Sequence, residues 1–535
     1  ASHPRSLVLT ALRRGHTGLG LADRNTVAGV VRAWGALKQL REHGGPPPEK
    51  VREGSSPGEV AFVADAPVAP DLSQAMKERA QAFRLMTGAR LAFADGTPDI
   101  VAYPEDRVGW SRLTRLLTLG NRRARKGDCL LHLNDLLVDP DGLLLIAVPD
   151  RRLDGLPDVL ARLNDARPGA VWLGAAMHRR GDDRRRLARL SALAQAADTP
   201  LLALNDVLYH APEERDLQDV LTCIREGVSI DQAGLRLLAN AERHLKAPEE
   251  MARLFADAPE ALAATQDVLA RSAFDLGELQ YEYPEEPIPP GETPQSWLRT
   301  LVKGRLPHRY PDGVPEKVTA LIDKEMAYIA ERNLAPYFLT IHDIVRVAED
   351  KGVLCQGRGS AANSAVCYVL GVTSVDPAHH DVLFERFMSA DRNEPPDIDV
   401  DFEHERREEI IQHLYAAYGR ERAGIAATVI RYRPRSAIRE VGRALGLTED
   451  VTAALAATQW GSWGSSIPDS QIRQAGLDPA NPLIRRAVDM ATRILGFPRH
   501  LSQHVGGFIL TRGRLDELVP VGNAAMADRT FIEWD

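Results

Sequence analysis

The segment Pro395-Pro396-Asp397-Ile398-Asp399-Val400-Asp401-Phe402 concentrates more chemistry than any other stretch of the chain. Ile398, Val400 and Phe402 favour an extended strand, and at a period of two Asp397, Asp399 and Asp401 share the opposite face. Carboxylates crowded on one face repel, so the pattern calls for a compensating cation. Oxygen ligands suit Mg²⁺, which keeps several waters and binds one or two carboxylates together with substrate phosphates. Two such ions roughly 3.5–4 Å apart can activate an attacking oxygen and stabilise a leaving one. Two plainer readings compete. A calcium loop needs glycine at its sixth position, where Phe402 stands, and an apolar eighth, where His404 stands; only Glu408, at the twelfth, fits. A merely solvated strand leaves three aligned aspartates in an apolar frame unexplained.

Upstream lies Cys355-Gln356-Gly357-Arg358-Gly359-Ser360-Ala361-Ala362-Asn363-Ser364-Ala365. Small residues let the backbone approach a phosphate closely, the Ser360 and Ser364 hydroxyls and free amides donate, and Arg358 offers a bidentate charge. The order of a Walker loop is absent. Taken alone, the run is equally a glycine-rich turn into a buried helix, Ala365 to Leu370. Beside a metal-carboxylate strand it suggests nucleotidyl transfer. A third cluster, Arg431-Tyr432-Arg433-Pro434-Arg435-Ser436-Ala437-Ile438-Arg439, gathers positive charge around an aromatic, with Arg443 one helical turn beyond Arg439. Arg431, Arg433, Arg435 and Arg439 could grip a DNA backbone or an incoming triphosphate, or form a solvated helix face. The run His178 to Arg186, interrupted by acids, reads as an exposed helix entrance, and His500 and His504 precede an apolar strand, Phe508 to Leu510.

These residues need elements to position them. Thr17 to Ala22, Val60 to Val63, Arg90 to Phe93, Leu143 to Val148, Ala170 to Leu173 and Leu201 to Leu204 read as strands separated by helix-length segments. That alternation implies βαβ units around a mainly parallel barrel or sheet. Leu7 to Leu12 and the segment carrying Val27, Val30, Val31, Trp34 and Leu37 read as helices, and residues 43–58 as a breaker-rich loop. Leu217 to Gly277 is helical in pattern, Tyr283 to Gly291 is an extended proline-rich connector, and Pro315 to Asn333 and Ile341 to Lys351 are amphipathic helices.

The whole runs to 535 residues and 58.8 kDa, enough for roughly two to four domains. No apolar stretch approaches the roughly 20 residues that span a bilayer. No signal peptide is visible, and four scattered cysteines form no zinc or disulfide framework, so a reducing cytoplasm is the expected compartment. A net charge of −8 argues against coating nucleic acid by bulk charge while leaving room for local basic grooves. The missing initiator Met suggests a fragment.

Together the motifs resemble a bacterial C-family DNA polymerase, most closely the error-prone, damage-induced relative of the polymerase III alpha subunit. The matching text is Pro336-Tyr337-Phe338-Leu339-Thr340-Ile341-His342-Asp343-Ile344-Val345, the run from Cys355 to Tyr368, Phe384-Glu385-Arg386-Phe387, and Glu394 to Arg407. Cys355-Gln356 before the glycines and Glu403-His404-Glu405-Arg406-Arg407 after the aspartates mark the error-prone branch. The resemblance covers nearly the whole chain and is most specific over residues 280–445.

The resemblance implies an α/β multidomain protein. A PHP-type distorted α/β barrel would be followed by a polymerase beta-like nucleotidyltransferase palm with an inserted helical thumb. The expected bounds are 1–235 for the PHP-like domain, 236–430 for the first part of the palm, 431–507 for the thumb and 508–535 for the rest of the palm. Asp399 and Asp401 would be the catalytic ligands of two Mg²⁺ ions. Gly359 and Ser360 would contact the triphosphate beside Arg358, with Ser364 also on the nucleotide side, and Asp397 would be a dispensable flanking acid. The expected partners are primer-template DNA and a dNTP, with no membrane. A sliding clamp and other mutagenesis proteins would bind through regions beyond this chain. The third catalytic aspartate and the fingers would also lie beyond Asp535, so the chain by itself is expected to synthesise DNA poorly.

In the PHP-like domain, the first His-x-His motif would precede Ala1. Asp23-Arg24-Asn25 stands where metal-binding relatives carry Asp-His-Asp or Asp-His-Asn. Asn205-Asp206-Val207-Leu208-Tyr209 stands where they carry Asn-Asp-x-His-Tyr, with His210 displaced. Arginine binds no cation and leucine has no lone pair, so no metal is expected there. A PHP-type phosphoesterase and a non-catalytic scaffold of a mutagenesis complex are the alternatives.

Overall fold

Six consecutive apolar residues, Leu143 to Val148, leave no polar face to turn to solvent, and they form one of the two central strands of the largest sheet. The structure is a computed structural model that describes residues 2–44, 70–382, 398–459, 467–526 and 528–534. The expected strand Val60 to Val63, most of the breaker-rich loop, Asp397 and Phe384 to Phe387 lie outside the described residues.

The chain divides into two compact units. The first comprises 1–279, 425–507 and 516–535, the second 280–424 and 508–515. The sequence reading also sets a break at 507/508, where the chain passes from the first unit back to the second, while its breaks at 235/236 and 430/431 fall away from the boundaries at 279/280 and 424/425.

In the first unit, strands β1 (Gly18–Arg24), β2 (Arg84–Leu91), β3 (Asp99–Pro104), β4 (Leu143–Val148), β5 (Val171–Ala176) and β6 (Leu201–Leu204) form one curled sheet in sequential order. Along β4, Leu143, Leu145 and Ala147 enter one apolar cluster while Leu144, Ile146 and Val148 enter another, so both faces are covered. The β1–β2, β4–β5 and β5–β6 pairs are parallel, as the alternation of elements implied. The β2–β3 and β3–β4 pairs are antiparallel, so three of the five pairs are parallel and the sheet is mixed, its antiparallel part confined to the two sides of β3. Strand β3 escaped the sequence reading because its apolar run, Ile100 to Tyr103, is short and closes on Pro104. The strand expected over Arg90 to Phe93 ends at Leu91 and begins earlier, at Arg84.

A second sheet, in the order β10 (Pro498–Leu510), β9 (Ala423–Arg431), β12 (Thr530–Ile532) and β11 (Val521–Asn523), lies mainly in this unit. Its terminal segment is fastened by Glu533, whose buried carboxylate accepts from Thr26 Oγ1 at 2.8 Å and Val27 N–H at 3.0 Å. The helices Arg215–Glu226, Pro434–Ala444 and Pro482–Ile494 share a third apolar core through residues such as Val220, Ile438 and Ile494.

In the second unit, the helices Pro294–Arg309, Glu316–Glu331, Ala335–Asp350 and Ala365–Leu370 surround a core that includes Leu298, Ile322, Phe338 and Val369. The helix expected over Ile341 to Lys351 starts earlier, at Ala335. Its neighbours β7 (Cys355–Arg358) and β8 (Asp399–Phe402) form a two-stranded antiparallel ladder. Among the described residues no helix is long and apolar enough to cross a membrane, and all four cysteines are free.

Candidate active site

The ladder between β7 and β8 pairs Arg358 with Asp399, Gly357 with Val400 and Gln356 with Asp401. Directly opposed residues of an antiparallel pair share a face. Gln356, Arg358, Asp399 and Asp401 therefore line one face, with Gly357 and Val400 turned to the other. Burial follows the same alternation: Gln356, Arg358 and Asp401 are exposed and Gly357 is buried. Gly357 is where the ladder meets the rest of the unit, since a Cβ there would lie 2.5 Å from the Val372 carbonyl oxygen.

Arg358 spans the two acids. Its Nε lies 2.7 Å from Asp401 Oδ2 and its Nη1 3.7 Å from Asp399 Oδ2, with side-chain exposures of 61%, 64% and 46% for Arg358, Asp401 and Asp399. At such exposure an ion pair is worth only about 0–1 kcal/mol, so the carboxylates are readily released to another cation. Gly359 follows in the left-handed region at φ +66°, and a Cβ on it would approach Asp399 Oδ2 to 3.4 Å. A bare backbone thus borders the carboxylates.

Beyond Gly359 the chain makes a 3₁₀ turn over Gly359–Asn363 and enters the helix Ala365–Leu370. Ser364 caps that helix, its Oγ accepting from Cys367 N–H at 3.0 Å. The same hydroxyl donates to Glu325 Oε2 at 2.7 Å, and the Ala365 and Val366 amides donate to Glu325 at 2.8 and 3.0 Å. Ser364 is 1% exposed, so its hydroxyl faces Glu325 and not solvent. Glu325 is fully buried, and desolvation outweighs its three donors, raising its pKa to about 7. At the other strand, the Ile398 amide donates to Tyr337 Oη at 3.3 Å, so the helix Ala335–Asp350 holds the entry to β8.

Glu325 and Gln356 were not singled out from sequence. The signal for Glu325 was available: it interrupts the apolar stripe Val318, Ile322, Met326, Ile329 on the buried face of its helix. A charge there demands buried partners.

Among the described residues no group of three or more His, Cys, Asp or Glu side chains could hold a metal ion. Asp399 and Asp401 form a pair, and two exposed carboxylates on one strand face suit a hard cation that takes its other ligands from water and phosphate.

The remaining candidates lie in the first unit. Arg431, Arg433, Arg435 and Arg439 are all exposed. Arg431 ends β9, Arg433 precedes the helix Pro434–Ala444, and Arg435, Arg439 and Arg443 run along one face of it while Ala437, Ile438 and Val441 are buried. Tyr432, the aromatic in this cluster, is buried and donates to Glu440, so it offers no ring to a base. At the degenerate motifs, Arg24 pairs with Asp99 at 3.0 Å. Asp206 is bound by Arg243 at 2.5 Å and Arg90 at 2.8 Å. Burial pushes the Asp206 carboxyl up, but the two guanidinium groups more than offset it and hold the pKa below the usual range.

Residues 296–535 match the family described as the bacterial DNA polymerase III alpha NTPase domain. Over its whole length the chain is 54% identical to an error-prone DNA polymerase of Bradyrhizobium sp. (strain ORS 278), of which it covers 43%. It is 54% identical to one of Rhodopseudomonas palustris (strain BisB5), covering 45%, and 51% identical to one of Caulobacter vibrioides, covering 46%. The resemblance drawn from the motifs therefore stands: the chain is homologous throughout to proteins named error-prone DNA polymerase. It spans about half the length of the curated relatives it matches.

Proposed function

We propose that the chain is part of an error-prone, DNA-directed DNA polymerase that transfers a dNMP to a primer 3′-hydroxyl, in damage-induced mutagenesis and translesion synthesis. The observation that carries this is the β7–β8 ladder, which sets Arg358 and Gly359 beside Asp399 and Asp401. In this reading the two aspartates hold Mg²⁺, which when bound would activate the attacking oxygen and neutralise charge on the leaving one. Arg358 exchanges its carboxylate partners for the β,γ-phosphates of the dNTP, a charge-assisted contact that its planar fork makes bidentate. Gly359 admits the triphosphate close to the backbone, Ser360 donates to it, and Ser364, held by Glu325, fixes the turn between them. Positioning and charge neutralisation then supply the catalysis.

The first unit includes the PHP-like segment 1–235, for which no metal is proposed, and the exposed arginines 431, 433, 435 and 439 on the thumb segment 431–507 contact the DNA backbone. The palm is assigned to 236–430 and 508–535. The whole protein's partners would include primer-template DNA, dNTP, a sliding clamp and other mutagenesis proteins, in the cytoplasm.

Replacing Asp399→Ala or Asp401→Ala in the full-length protein tests this. Primer extension should fall by roughly 10²–10⁴-fold, the equivalent of several kcal/mol of transition-state stabilisation. Undiminished extension would refute the assignment. A phosphoesterase would keep hydrolysing phosphate esters in both variants, and a scaffold would have no extension to lose.

A further inference from the structure

The proposed polymerase reaction leaves one cavity of the first unit unused. Its volume is about 460 Å³, within the ~300–1,000 Å³ of pockets that take small ligands. It opens where β4, β5 and β6 end, with Val148, Ala176 and Leu204 in its wall. Its lining is dominated by charge, with seven arginines against four aspartates.

Three of those arginines have structural employment. Arg90 and Arg243 are bound to Asp206, and Arg186 donates to the Pro149 and Asp150 carbonyls at 2.9 and 2.6 Å. Of the aspartates, Asp206 is held by Arg90 and Arg243 and Asp183 accepts from the His178 and Arg180 amides at 3.4 and 2.9 Å, while Asp150 and Asp182 add their carboxylates to the rim. Arg151, Arg180, Arg185 and Arg189 are different. Each is exposed, each lines the cavity, and none makes a side-chain ion pair among the described residues. With seven guanidinium groups against four carboxylates, the concavity keeps an excess of positive charge, concentrated on these four exposed arginines. On a convex helix face they would be ordinary solvated charges; around a cavity they form an anion trap.

We infer that this cavity binds the phosphate groups of a mononucleotide without a metal ion, through Arg151, Arg180, Arg185 and Arg189. Arginine's planar fork matches phosphate oxygens two at a time, and its charge is permanent. Val148, Leu153 and Leu204 supply apolar wall for the sugar or base. A bounded pit of this volume suits a mononucleotide, whereas a nucleic-acid strand is held along an open groove. The inference does not depend on the polymerase reading.

Calorimetric titration of the 535-residue chain with dATP, inorganic phosphate and deoxyadenosine, all in excess EDTA, tests it. The expected result is binding of dATP, weaker binding of phosphate and none of deoxyadenosine. Arg180→Ala and Arg185→Ala, at exposed positions that leave the fold intact, should each weaken dATP roughly 10-fold or more. Arg358→Ala should leave this metal-free binding unchanged, which separates the cavity from the triphosphate contact proposed beside Asp399. The inference is overturned by an absence of binding, by equal binding of deoxyadenosine, or by binding that the arginine variants leave untouched. It is equally overturned if a single-stranded oligonucleotide binds the same arginines more tightly than dATP.

Discussion

Glu325 meets three hydrogen-bond donors in a site that solvent does not reach, and its pKa of about 7 lies above the ordinary glutamate value. A carboxyl group with a raised folded pKa contributes its full stability below the unfolded value of 4.5. It loses that contribution as the pH climbs to about 7, because folding then binds a proton that the unfolded chain has released. Denaturant titration at pH 5 and pH 8 should therefore show the wild type losing up to about 3 kcal/mol relative to Glu325→Gln, which cannot ionise. A constant difference between the two proteins would mean that the carboxylate stays charged throughout. Gly359→Ala probes the neighbouring position. Its φ of +66° costs an alanine about 1–2 kcal/mol, and the added methyl stands in contact with Asp399. In the full-length enzyme the KM for dNTP should rise at least several-fold, measured by steady-state incorporation. The two aspartates were legible in the sequence because a period of two is local. The pairing of Glu325 with Ser364 was not, since it joins residues distant in the chain, and only the fold shows that the Ser364 hydroxyl turns inward.

The helix Ala365–Leu370 is too short to persist alone, because nucleating a turn costs more than six residues return. Burial holds it: Val366, Cys367, Val369 and Leu370 are each at most 1% exposed. Its approach, through Gly357, is equally tight. Gly357→Ala places a methyl against the backbone oxygen of Val372 and should destabilise the protein by about 1–3 kcal/mol, read from the denaturation midpoint. The helix Pro434–Ala444 presents the opposite situation, an apolar face buried and an arginine stripe exposed. If the stripe follows a phosphate backbone, Arg435→Ala and Arg439→Ala should each lower the slope of log affinity for duplex DNA against log salt by about 1. Strands β4 and β6 were legible to the residue, since continuous apolar runs between breakers admit little else. Strand β3 was hidden by its brevity and closing proline, and with it the two antiparallel pairs that it makes.

At the scale of the molecule, the path of the chain matters as much as its cores. The second unit takes most of its residues from 280–424, yet Phe508 and Leu510 pack with Leu414, Tyr415 and Tyr418. Phe508 meets the Tyr415 ring edge-on at 5.3 Å. The Thr511 amide bonds the Arg422 carbonyl at 2.9 Å, and the Leu515 amide that of Glu421 at 2.6 Å. A fragment of residues 280–424 should accordingly show a broad thermal transition, which joining residues 508–515 through a flexible linker sharpens and raises. Composition and periodicity announce separate cores but not which of them a returning segment joins; the return at 508 entered only through the resemblance, which carried it to 535 where the unit closes at 515. This return has a consequence during biosynthesis. The carboxylate-bearing strand leaves the ribosome well before Phe508 does, and at ~5–20 residues per second the interval is roughly 5–20 s. For that time the tyrosines awaiting their partner stay uncovered, a window in which a chaperone, or a neighbouring nascent chain, competes for them.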